Sequence, residues 1–392
     1  MVRAAGSAAV HGIGTAGLPA GVPDADGLGE DAELAGDLRL ADTSGKHLGR
    51  AEPASLKTVA CSLCHRAGDG WHGRILTRRP AQLQLRPEQV PPRLCQSMLI
   101  EPVLCWAANQ VGAGARVLAV KGLRAGAGPW RLRIDRGGTP LEVVLRVGDP
   151  SSRQRLATEA AALALAEDHQ LTAPRLLAVD LDGAAGRPAL LMTALAGSST
   201  IPVIASVARL RALGAAAATL HAVAAAPRPD LPLRVRPLAD VDFAAKRRAS
   251  GSSPLLEAAA ERVNQVPILQ AKTGLVQGDL WQGNTLWTGE RCTGVVDWDA
   301  AGVGHPGIDL GTLRLDAAIL FGLPAAAVVL EGWRQVAGQE AHAMAYWDLV
   351  AALTTPTDMA TWLPVAHAHG RVDLDTATLN SRRDAFLHAA LD

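Results

Sequence analysis

The chain has 392 residues, with 38 Lys and Arg balancing 38 Asp and Glu, and 48% of it is apolar. That is enough for two or three domains with a sizeable core, and the charge balance argues against a dedicated nucleic-acid binder. Five irregularly spaced cysteines make no disulfide framework and suit a reducing compartment.

A membrane span would need roughly 18 or more continuous apolar residues. The two best candidates, "LGAAAATLHAVAAA" and "AAILFGLPAAAVVL", are interrupted by His221 and Pro324. The start of the chain carries only Arg3 before glycines and alanines, without the apolar core of a secretory signal. The expectation is a cytoplasmic protein with neither a membrane nor a nucleic-acid partner.

Residues 1–97 are rich in Gly, Ala, Pro and Asp and show no sustained apolar period, as in "GIGTAGLPAGVPDADGLGEDAELAGD". They are expected to be low-complexity and disordered, or an over-extended reading frame upstream of Met98. "CSLCH" at 61–65 has the spacing of a c-type haem attachment, and Cys61, Cys64, His65 and His72 could instead hold zinc. Haem attachment needs export and an apolar pocket, so a chance match is the better reading.

Residues 98–197 read as a small sheet-rich lobe. After a short amphipathic helix carrying Leu99, Val103, Leu104, Trp106 and Ala107, the runs "RVLAVKGL", "WRLRID" and "LEVVLRV" are strand-like. The Gly137-Gly138 pair between the last two signals a hairpin. A helix is expected from Ser152 to His169 with Leu156, Ala160, Leu163 and Ala164 on one face, then strands in "RLLAVD" and "PALLMTAL". Helices dominate residues 198–392: "VARLRALGAAAATLHAV", "PLLEAAAERVNQV", "EAHAMAYWDLVAALTT" and "SRRDAFLHAALD". The hairpin "TLWTGERCTGVVDW" interrupts them. The expected class is α+β, a small β-rich lobe followed by a larger helical one.

The chemistry concentrates in "LVQGDLWQGNTLWTGERCTGVVDWDAAGVGHPGIDL", residues 275–310. Asn284 lies five residues after Asp279, and Asp297 follows thirteen residues later at the exit of the hairpin. A tight loop entering a hairpin can bring the amide oxygen of Asn284 beside the Asp297 carboxylate, a hard-oxygen pair suited to Mg²⁺. Asp279 is then free to take a proton from a hydroxyl, which completes the parts of a phosphoryl-transfer site. Singly, such residues are more often caps, and Asp299 reads as a solvated or capping group. His221, on an apolar helix face, reads as a satisfied core residue.

"QGDLWQGNTLW" with "VVDWDAAGVGHPGIDL" resembles the aminoglycoside phosphotransferase and choline kinase-like family, a branch of the protein-kinase-like fold. That pattern is His-Gly-Asp, four residues, Asn, then Asp-Trp or Asp-Phe in place of the kinase Asp-Phe-Gly. The resemblance covers about residues 98–392 and implies a bilobal fold. It implies Asp279 as catalytic base, Asn284 and Asp297 as Mg²⁺ ligands, and Asp309 as a hydrogen-bonding brace for the loop. In the small lobe it implies that Arg146, paired with Glu159, holds the nucleotide phosphates. Gly122, Gly126 and Gly128 would turn over those phosphates, and the backbone from Met192 to Ala194 would meet the adenine edge. Two departures stand out: Gln277 occupies the usual His position, and His305 a usual Asp.

The implied activity is transfer of the ATP γ-phosphate, with Mg²⁺, to a hydroxyl of a small molecule. A nucleotide-binding protein of the pseudokinase type is the alternative, and a haem or metal redox protein built on residues 1–97 is a third. For the acceptor, Asp230, Asp240, Asp242, Asp348 and Asp358 could serve a polycation. Trp281, Trp287, Trp298, Trp333, Trp347 and Trp362 could cage a quaternary ammonium.

Overall fold

The computed structural model describes residues 100–124, 127–266 and 273–392. The readings made for residues 1–97, the Cys61–His65 motif among them, fall outside these, as do Met98 and Gly126.

Helix α1 (Ile100–Val111) places Val103, Leu104, Ala107 and Ala108 on one buried stripe. That stripe covers one face of an antiparallel sheet made of β1 (Arg116–Arg124), β2 (Ala127–Arg136), β3 (Thr139–Val147), β4 (Leu176–Asp180) and β5 (Ala189–Thr193), in the order β1-β2-β3-β5-β4. Strand alternation separates two cores here. Val143, Leu145 and Leu191 face α1, whereas Val144, Leu190 and Met192 join the core shared with the helical part. Arg146 falls on the second face, and that parity aims it at the catalytic elements. Helix α2 (Arg153–Asp168) connects β3 to β4 and buries Leu156, Glu159, Ala162, Leu163 and Ala166. Ala164, expected on the buried face, is exposed, because the stripe follows the 3.6-residue period through Ala162 and Ala166.

The remainder begins with α3 (Val207–His221), capped by Ser206, whose hydroxyl accepts from the Arg209 amide at 3.0 Å. It continues through β6 (Leu233–Arg234), α4 (Phe243–Ser250), α5 (Pro254–Gln265) and β7 (Gly274–Val276). The hairpin β8 (Thr285–Thr288) and β9 (Arg291–Val295) precedes β10 (Gly302–Gly304). Five helices finish the chain: α6 (Gly307–Phe321), α7 (Leu323–Ala337), α8 (Met344–Ala352), α9 (Leu363–Ala368) and α10 (Thr376–Leu391).

Helices α4, α6, α7 and α9 were not read from the sequence. Of these, α6 is buried on nearly every side and so carries no amphipathic period. The apolar run "AAILFGLPAAAVVL" is the end of α6 and the start of α7, broken at Gly322, where φ is 98°. Helices α3 and α7 touch backbone to backbone: a Cβ on Gly214 would stand 1.9 Å from the Val329 carbonyl oxygen. Among the described residues no helix is long and apolar enough to cross a membrane.

A three-stranded sheet, β6-β10-β7, fixes the catalytic loop. Strands β7 and β10 are antiparallel, with Val276 opposite Gly302 and Gly274 opposite Gly304. One end of this pair therefore delivers Gln277–Asp279 and Asp297–Ala301, and the other delivers Thr273 and His305.

Candidate active site

The fully buried strand β7 runs into Gln277, Gly278 and Asp279. Gly278 has φ 83°, and a Cβ there would stand 2.2 Å from the Ala300 carbonyl oxygen. Only glycine meets both demands. Asp309, wholly buried near the start of α6, accepts hydrogen bonds from the Gln277 and Gly278 amides, each at 2.8 Å. His221 holds Asp309 in turn at 3.1 Å, while the Trp333 indole donates to His221 Nδ1 at 3.0 Å. That leaves the imidazole proton on Nε2, facing the carboxylate. Both side chains brace the loop.

Gln277 links the two halves of the site. Its Oε1 accepts from the Asp279 amide at 2.8 Å, and its Nε2 donates to the Val296 and Asp297 carbonyls at 3.1 and 2.6 Å. Asn284, on a single 3-10 turn, donates through Nδ2 to the Asp279 carbonyl at 2.9 Å and to its carboxylate at 3.3 Å. Among the described residues its Oδ1 has no hydrogen-bond partner. The Val296 amide donates to the Asn284 carbonyl at 2.9 Å, which ties this turn to the exit of β9.

Asp297 lies just beyond, with left-handed backbone (φ 63°, ψ 62°) that Asp tolerates better than most residues. Its two carboxylate oxygens meet Arg146 and Arg124, each at 2.5 Å. Burial opposes its ionisation, but the two guanidiniums outweigh burial and hold the carboxyl below its ordinary range. Arg146 also binds Glu159 at 3.0 Å and Asp299 at 2.9 Å. Its own desolvation is more than offset by these three carboxylates, so it stays charged. Burial pushes the Glu159 carboxyl up to about 7, with Arg146 opposing the rise and Asp297 and Asp299 adding to it.

Asp299 corrects the sequence reading. Rather than a solvated cap, it is buried and binds Arg146 and, at 2.6 Å, Arg155 of α2. Those partners lie far away in sequence, so turn statistics could not reveal them. Arg124, at the end of β1, was also missed. A cation beside the glycine turn "RAGAG" was the available signal. Gly122 lies in β1 and Gly128 in β2, so neither stands between the two strands. Met192 is buried in β5, and Ala194 is half-buried just past its end, its amide 3.4 Å from the Glu142 carbonyl.

Asp279 is half-buried beside Asn284. Burial, reinforced by Asp297 and Asp299, pushes its carboxyl up to about 7, against the hydrogen bond from Asn284. A carboxylate with that affinity for a proton is suited to accept one near neutral pH.

The residues considered for an acceptor are dispersed. Trp287 lies under Arg209 at 4.0 Å, Trp298 donates to the Val295 carbonyl, Trp333 to His221, and Trp347 stacks on His305. Asp348 pairs with Arg314, Asp230 with Arg228 and Asp240 with Arg234, while Asp242 and Asp358 cap helices. Trp281 meets His369 edge-on, and Trp281 and Trp362 pack against one and the same core cluster. Among the described residues the other four indoles form no aromatic cage, and the five carboxylates no acidic cluster.

Residues 119–348 match the family model described as the phosphotransferase enzyme family. A candidate aminoglycoside phosphotransferase from Ralstonia eutropha superposes with a TM-score of 0.50 at 17% identity, over 74% of this chain and 98% of that one. Macrolide 2'-phosphotransferase MphH from Brachybacterium faecium gives 0.47 at 21% identity, over 74% and 98% of the two chains. A choline/ethanolamine kinase family protein from Mesorhizobium loti gives 0.43 at 20% identity, over 70% and 88%. No curated protein matches the chain. With the family model spanning more than half of its length and the superposition supporting a bilobal kinase-like fold of mixed α and β, this chain belongs to the phosphotransferase enzyme family.

Proposed function

We propose that this protein is an ATP- and Mg²⁺-dependent phosphotransferase that moves the γ-phosphate to a hydroxyl of a small molecule. The observation that carries this reading is the convergence of Asp279, Asn284 and Asp297, with Arg146 reaching Asp297 from the sheet at 2.5 Å. Residues 98–197 would receive the nucleotide, and residues 198–392 would supply the catalytic groups and the acceptor site.

Among the described residues no group of three or more His, Cys, Asp or Glu side chains is gathered to hold a metal. The donors at hand are Asn284 Oδ1, unengaged among the described residues, and the Asp297 carboxylate, which would share or exchange its Arg124 and Arg146 contacts with the ion. One amide and one carboxylate oxygen suit an ion that keeps several waters and takes its other ligands from phosphates, as Mg²⁺ does. Bound there, Mg²⁺ would neutralise phosphate charge during transfer. Asp279 takes the proton of the acceptor hydroxyl, and the Asn284 amide, hydrogen-bonded to it, sets its orientation. Arg146, steadied by Glu159, and Arg124 bring positive charge to the place where phosphates would lie. Gln277 keeps the base and the Asp297 segment in register.

The test is transfer of labelled γ-phosphate from Mg·ATP across a panel of hydroxylated metabolites and aminoglycosides. A labelled product with the wild type, lost with Asp279→Asn, supports the reading. Mg·ATP binding without turnover on any acceptor would favour a nucleotide-binding protein that performs no transfer.

A further inference from the structure

A cavity of about 980 Å³ lies beside β6, α4, α5 and α8, at the Thr273 and His305 end of the β7–β10 pair. The catalytic residues leave the opposite end of those strands, and none of them lines this space. Its walls combine two kinds of surface. Phe243, Tyr346, Val263 and Val350 give an apolar and aromatic floor. Arg234, Arg236 and Arg247 bring three guanidiniums, against one lining carboxylate, Asp242.

The bonding of these groups decides what the cavity can take. Asp242 is engaged by the α4 backbone, accepting from the Ala245 amide at 2.8 Å. Arg234 is buried against the Ala301 carbonyl and the exposed Asp240. Among the described residues Arg236 donates only to the Ala239 and Val241 carbonyls, and Arg247 only to the Leu353 carbonyl. Among the described residues neither of these two has a carboxylate hydrogen-bond partner, although Asp242 lies close enough to attract both. Lys246 adds further positive charge at 5.7 Å from the Phe243 ring. His305 contributes no cation, since its Nδ1 accepts from the Gly307 amide at 2.9 Å while its ring stacks on Trp347. A guanidinium with spare N–H groups beside an apolar wall is matched by an anion on an apolar body. A polycation would meet like charge.

We propose that this cavity is a second binding site, separate from the phosphoryl-transfer centre, for a small amphiphilic anion: an apolar or aromatic body bearing a carboxylate or a phosphate that pairs with Arg236 and Arg247. The site can influence catalysis through two contacts: the Leu238 amide, two residues past Arg236, donates to the Gly278 carbonyl at 2.9 Å, and Arg234 donates to the Ala301 carbonyl at 3.0 Å.

The probes are 2-naphthoate, 2-naphthyl phosphate, the neutral 2-naphthamide and the cationic 2-naphthylmethylamine, titrated calorimetrically into the full chain without nucleotide. At least one anion should bind about tenfold or more tighter than the amide, as one charge-assisted bond implies, and the amine should bind more weakly than either. Which anion is preferred distinguishes carboxylate from phosphate. Arg247→Leu should weaken the anion about tenfold. Ala244→Trp sets an indole at the exposed α4 rim of the cavity without removing a side-chain hydrogen bond, and should weaken binding even if the Arg247 variant folds poorly. The proposal is overturned if the amine binds as tightly as the anions, if no probe binds, or if Ala244→Trp leaves the anion affinity unchanged.

Discussion

Replacing Gln277 by Ala removes three hydrogen bonds from a fully buried position and strands the Asp279 amide and the Val296 and Asp297 carbonyls. Each buried backbone group left unpaired costs about 1–3 kcal/mol. Water entering the vacated space can satisfy part of the carbonyl demand, so the net loss should be about 3–5 kcal/mol. That is a large fraction of the roughly 5–15 kcal/mol that holds an ordinary domain together. The same bonds set the spacing between Asp279 and Asp297, and an error of about 1 Å in such a site can cost about a hundredfold in rate. Gln277→His, restoring the more usual residue, offers one acceptor nitrogen and one N–H donor. It can keep the Asp279 amide and one carbonyl paired, so it should cost about 1 kcal/mol and hold or modestly raise turnover. Urea unfolding and steady-state kinetics on the three proteins test this together. An Ala variant within about 1 kcal/mol of wild type and equally active would refute the bracing role. A His variant faster by several orders of magnitude would instead mark the natural chain as a weakened kinase and favour the nucleotide-binding reading.

Asp279→Asn should retain Mg·ATP binding but lower turnover by at least about a hundredfold, measured in single-turnover transfer, because a positioned base contributes about that much. Asp297→Ala should remove metal-dependent nucleotide binding, and titrations with and without Mg²⁺ would show it. Gly278→Ala should cost more than about 3 kcal/mol in unfolding, since it combines a positive φ with a clash against a backbone oxygen. His305 is held near 4, chiefly by burial and then by His221 and His342, so the folded state binds its proton less readily than the unfolded chain. Its contribution is therefore complete above about pH 6.5 and is lost as pH falls toward 4. In His305→Asn, whose side-chain oxygen can still accept from the Gly307 amide, that acid-limb slope in unfolding free energy should flatten.

The features legible in the sequence were local ones. Asp279, Asn284 and Asp297 are close along the chain, with a hairpin between the last two, so spacing alone placed them together. The five strands showed as short apolar runs between turn residues, even β5, which is buried on both faces, and α2 showed in its helical spacing because one side of it faces solvent. Central helix α6 has almost no such side, and its uniform apolarity hid its period. Folding alone decided how charge is shared around the site. Arg146 meets Asp299 across 153 positions, Arg124 meets Asp297 across 173, and His221 meets Asp309 across 88. A buried carboxylate looks like an exposed one in a sequence, because its cost and its purpose depend on a cation delivered by another element. Those partners are chosen by strand parity and helix packing, which exist only once the chain has closed on itself.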